Sequence, residues 1–92
     1  MNVAINEKRQ EVRHPAEGPV LVSFSDPQRT EVLGQLVDVS PSGFRMAHAN
    51  QSLQSGQLVE FSHTVAAGVA RVMWNRIMDH RVETGFRIVA SK

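Results

Sequence analysis

Apolar and polar side chains alternate along most of this chain with a period of two. Val20, Val22 and Phe24 alternate with Leu21, Ser23 and Ser25, which predicts a strand with one buried face. Asp26-Pro27-Gln28-Arg29 ends it, with proline at the second position of a turn. Thr30 to Val39 is the second predicted strand, with Leu33, Val37 and Val39 on its inner face. Val32 and Leu36 break that alternation, so Gly34 is placed at a bulge or sharp bend. Phe44, Met46 and His48 alternate with Arg45 and Ala47 in a third strand, and Asn50 to Gly56 forms a polar loop. Leu58 to Val65 is the fourth strand, with Val59, Phe61 and Val65 inward and Ala66-Ala67-Gly68 as the turn after it. Val69 to Arg76 is the fifth, with Ala70, Val72 and Trp74 on one face. Met78-Asp79-His80 turns the chain into a sixth, marked by Thr84, Phe86 and Ile88. Six short strands with regular turn signals and no useful helical stretch predict an all-β antiparallel barrel or sandwich.

Two polar stretches stand apart from this pattern. Residues 1–18 show neither strand nor helix period, and Pro15, Gly18 and Pro19 oppose a long helix, so they read as a flexible N-terminal arm before a single barrel domain over 19–92. Within the arm, Arg9 and Arg13 are four residues apart and share a face. Two guanidiniums there offer forked hydrogen bonds to a planar or anionic ligand. The plainer reading is a solvated charge cluster paired with Glu7 and Glu11. The second stretch is Asp38-Val39-Ser40-Pro41-Ser42-Gly43, at the end of the second strand. Pro41 presets a turn and Gly43 is expected to leave it with φ > 0. Asp38 and Ser40 leave an extended backbone from one face, so a carboxylate and a hydroxyl sit side by side. An ordinary hairpin turn with an Asx-type cap is the alternative.

Composition narrows what these stretches can do. The chain has 92 residues, enough for one small domain, with 41% hydrophobic and 21% charged residues and a net charge of +1. So small a charge gives no broad field for a nucleic-acid polymer, and one tryptophan without tyrosine gives few stacking platforms. The absence of cysteine excludes disulfides and thiolate chemistry. His14, His48, His63 and His80 lie on separate elements without metal-ligand spacing. Ser40 has no motif that would activate a nucleophile, and Trp74 reads as core. No acid–base pair calls for catalysis, so an enzyme is not expected. Nor is membrane insertion: no segment has the apolar length of a span, and a cytoplasmic location follows as the default.

Arg9-Gln10-Glu11-Val12-Arg13 followed by Asp38-Val39-Ser40-Pro41-Ser42-Gly43 resembles the PilZ domain family, in which an RxxxR arm precedes a six-stranded barrel and a [D/N]xSxxG turn follows the second strand. Val69 to Trp74 and Thr84 to Ile88 also look like that family's last two strands. The resemblance implies a split β-barrel and a bacterial receptor for the second messenger cyclic di-GMP, with no other cofactor. It implies that Arg9 and Arg13 grip guanine edges and phosphates, that Asp38 and Ser40 hold the second guanine, and that Gly43 lets the backbone approach. Because the arm lacks an apolar period to pin it down, the ligand is expected to order it against the rigid turn, and a downstream effector protein is expected to read the bound form. The rival within the family is an interaction module without nucleotide binding.

Overall fold

The alternating pattern closes on itself. A computed structural model of the chain describes residues 11–25 and 28–92, and the predicted Asp26-Pro27 turn lies outside them. Seven strands follow in order: β1 (His14–Pro15), β2 (Pro19–Ser25), β3 (Arg29–Ser40), β4 (Gly43–His48), β5 (Leu58–Ser62), β6 (Ala67–Met78) and β7 (Arg81–Ser91). All pairings are antiparallel, in the order β1-β3-β2-β5-β6-β7-β4, and β4 pairs back onto β3. Strands β2 to β7 therefore form a closed six-stranded barrel, and β1 is an extra short strand laid against β3. Closure satisfies the backbone groups that an open sheet would leave at its edges. The barrel, not the sandwich, is the solution this sequence adopts.

Strand β3 can serve three partners because it is long. Its first half pairs with β2, from Pro19↔Gln35 to Ser25↔Arg29. Its second half pairs with β4 through Ser40↔Gly43, and with β1 through His14↔Val39 and Pro15↔Asp38. The register shifts between Leu36 and Asp38, so the bulge falls at Val37 and not at Gly34. Gly34 is needed for space instead: a Cβ there would fall inside 3.0 Å of the Ala47 carbonyl oxygen. The expected inner face of β3 is also reversed. Val32 and Leu36 are buried and Leu33 is 70% exposed; the bulge then turns Asp38 outward toward Arg45 and brings Val39, opposite Phe44, onto the inner side as expected.

The core is built from Val20, Val22 and Phe24 of β2, Val32 and Leu36 of β3, Phe44 and Met46 of β4, and Val59, Phe61, Ala70, Val72 and Phe86. Phe44 is its centre. Its ring stacks on Phe86 at 4.7 Å and contacts Phe61 and His63, each at 4.8 Å. Two expectations fail at the end of β5. Val65 is exposed, because the strand stops at Ser62 and the chain turns over His63 to Ala66 rather than over Ala66 to Gly68.

A polar chain crosses this core at one side. The Asn50 amide donates to His48 Nδ1, which leaves the proton on Nε2. That nitrogen meets Thr84 Oγ1 at 2.6 Å, the Thr84 hydroxyl donates to Asn75, and the Asn75 amide nitrogen donates to the Leu53 carbonyl. Burial holds His48 below its ordinary pKa. Neutral imidazole is thus the native form, while the unfolded chain takes up its proton near pH 6.5. Stability is full above that pH and declines as the pH falls below it. Burial lowers the His63 pKa in the same way, so thermal melts between about pH 7.5 and 5 should show this decline, and His48→Gln should reduce it without abolishing it.

Candidate functional site

The turn Pro41-Ser42 is a two-residue hairpin between β3 and β4, with Ser40 and Gly43 paired across it. Neither turn residue has a positive φ, which excludes the primed turns and type II. Gly43 has no positive φ either, contrary to expectation. It is glycine because β7 passes too close: a Cβ would fall inside 3.0 Å of the Phe86 carbonyl oxygen. The Ile88 amide donates to the Ser42 carbonyl at 2.8 Å, which ties the turn to β7 as well.

Residues 11–18 of the arm lie against the barrel. Glu11 Oε1 accepts from the Ser42 hydroxyl at 2.6 Å and from its backbone amide at 3.3 Å. These Ser42 bonds keep the Glu11 carboxyl below its ordinary pKa. Beyond β1, the Ala16 amide donates to the Val37 carbonyl, and Thr64 donates to the Glu17 carbonyl. Glu11 is therefore engaged by the turn. Arg9 and Glu7 lie outside the described residues.

Asp38 is the hub of the charges. Burial alone would raise its pKa, but the hydrogen bonds and charge of Arg45, aided by Arg13, outweigh this and hold it low. Arg45 sits directly across the ladder from Asp38. Its Nε lies 3.0 and 2.9 Å from the two carboxylate oxygens, and its Nη2 also bonds Oδ2. Arg13 adds one bond to Oδ1 at 3.3 Å. Arg45 reaches on to Glu83 at 3.8 Å, and Glu83 is bonded by Arg76 at 2.9 Å. The result is a line of alternating charge across β3, β4, β7 and β6, with both carboxylates nearly buried.

A cavity of about 430 Å³ opens beside this line, of a size that suits a small-molecule ligand. Glu11 and Arg13 border it on the arm side, Ser40, Ser42 and Gly43 at the turn, and Met73, Trp74, Gly85, Phe86 and Arg87 along β6 and β7. Of the residues expected from sequence, Arg13, Ser40 and Gly43 meet on this cavity. Asp38 stands behind them, bound to Arg13.

Trp74 corrects the sequence reading. It is half-buried and lines the cavity, because an extra residue in β6 at Met73 shifts its register against β7. Gly85 lets the indole approach: a Cβ there would fall inside 3.0 Å of the Trp74 ring. Strand alternation alone could not reveal this, since it depends on a bulge and on a glycine in another strand. Arg45 and Arg87 were also missed, and their outward positions on alternating strands were their sole local signal.

Among the described residues no group of three metal-ligating side chains could hold an ion, and no helix is long and apolar enough to cross a membrane. A search of curated proteins returned no match. The model of the PilZ domain matches residues 7–90, which takes in the arm arginines, the turn and all of the strands but the last residue of β7. PilZ domains are ligand-binding and adaptor modules, and this chain belongs to the PilZ domain family.

Proposed function

We propose that the chain is a cytoplasmic receptor for cyclic di-GMP, without catalytic activity, whose bound form is read by an effector protein. The observation that carries this reading is the convergence of Arg13, Ser40 and Gly43 on one cavity that Trp74 also lines. Guanine presents acceptors O6 and N7 on one edge, which an arginine fork satisfies, and N–H donors on another, which a carboxylate accepts. The Arg13–Asp38 contact is a single bond at 3.3 Å by a half-exposed side chain, so exchanging it for ligand costs little. Arg13 then turns to the ligand, and the vacated side of Asp38 accepts guanine N–H groups. Arg9 supplies the second guanidinium, and the Trp74 indole offers a face to a purine.

One observation favours the rival reading of a docking module: Arg45 already occupies both oxygens of Asp38. Titrating the variants separates the two. Arg9→Ala and Arg13→Ala should each weaken cyclic di-GMP by roughly 1–3 kcal/mol, about tenfold or more. Their melting temperatures should hardly change, since exposed charges add little to folding. Unaltered affinity in both variants would remove the arm from the site.

A further inference from the structure

We propose that Arg87 is a phosphate-binding residue of this cavity, standing on its β7 wall. The inference rests on the receptor reading above and adds a contact that lies outside both sequence motifs. Arg87 is exposed on β7 and lines the cavity. The ladders set it beside Gly43 of β4 on one side and Arg71 of β6 on the other. Neither neighbour brings a carboxylate.

The other described arginines are already engaged. Arg13 and Arg45 bind Asp38, Arg76 and Arg81 lie on Glu83, Arg29 lies on Glu31, and Arg71 donates to the Gly56 carbonyl. Among the described residues Arg87 alone of the arginines has neither an ion pair nor a hydrogen bond. Its neighbours on the same wall, Met73, Trp74 and Phe86, bring no opposing charge. The carboxylate that borders the cavity is Glu11, which is spent on Ser42. A guanidinium left unpaired beside an apolar wall is a receptor for an anion that arrives with the ligand. A cyclic dinucleotide carries two phosphates, and Arg13 borders the cavity from the arm. Arg87 gives the second phosphate its partner.

The test is isothermal titration of the full chain with cyclic di-GMP, comparing Arg87→Ala, Arg87→Lys and Arg71→Ala with the unmodified protein. Arg87→Ala should lose about tenfold or more in affinity, as expected for a lost hydrogen bond to a charged group. Arg87→Lys should keep most of the affinity, because a phosphate accepts a point charge. Arg71→Ala, a neighbour outside the cavity, should bind normally, and all three should melt like the parent. Parental affinity in Arg87→Ala, with the parent binding, would overturn this assignment and leave the receptor reading intact. Equal losses in the alanine and lysine variants would overturn the phosphate assignment in favour of a forked contact to a base. No binding by the parent would overturn the receptor reading, and this inference with it.

Discussion

Gly43→Val should destabilise the barrel by about 3 kcal/mol, the upper end of the range for overpacking, and should abolish ligand binding with it. The added Cβ would meet the Phe86 carbonyl oxygen and crowd its carbonyl carbon, and both belong to backbone that cannot rotate away. Relief requires β4 and β7 to part where Gly43 pairs with Arg87, next to the stacked rings of Phe44 and Phe86. The turn and the cavity wall would move together. Gly56→Ala is the control. Gly56 has a φ of 91°, but a Cβ there would meet nothing within 4 Å. It should cost about 1 kcal/mol through backbone strain alone and leave binding unchanged. Thermal melts of the two variants read the contrast. A Gly43→Val protein that melts like the parent would show that β4 and β7 are not in this close contact.

Asp38→Ala should cost about 3 kcal/mol of stability as well as binding, which sets it apart from the arm arginines. Arg45 is partly buried, and removing Asp38 would leave its guanidinium, among the described residues, with only the 3.8 Å contact to Glu83. Asp38→Asn should cost less, because the amide oxygen still accepts one bond from Arg45. The pair also has a pH signature. Asp38 has its pKa lowered in the folded chain, so its contribution is present above the unfolded value and disappears as the pH falls through the folded one. That acid limb lies below the His48 range and should be absent from Asp38→Asn. If Asp38→Ala keeps the parent melting temperature, the carboxylate is not a structural hub and serves ligand alone.

How much of this was legible beforehand varies by residue. Val20, Val22 and Phe24, like Phe44, Met46, Val59 and Phe61, sit on the buried faces that simple alternation assigns them. Alternation is a local property, so it survives wherever a strand keeps its register. It fails at Val37 and Met73, where bulges slip the register by one and move Leu33 and Trp74 away from their expected sides. A bulge is dictated by the partner strand, which sequence periodicity does not see. The turn from Asp38 to Gly43 was legible as a polar platform because its residues are contiguous. The reason for Gly43 was not, since it lies in a carbonyl of β7 forty-three residues further on. Arg87 likewise looks like any outward strand residue until the β4–β7 ladder sets it beside the turn.

Calorimetric titration of the unmodified chain with cyclic di-GMP, run beside GMP and cyclic AMP at the same salt, tests the receptor reading most directly. The account predicts saturable binding of the cyclic dinucleotide, much weaker binding of either mononucleotide, and a stoichiometry that distinguishes one ligand from an intercalated pair. A mononucleotide can occupy the arm side or the turn side of the cavity but cannot bridge them. Equal affinity for GMP and cyclic di-GMP would contradict the account, and no saturation by cyclic di-GMP would contradict it in favour of the docking module.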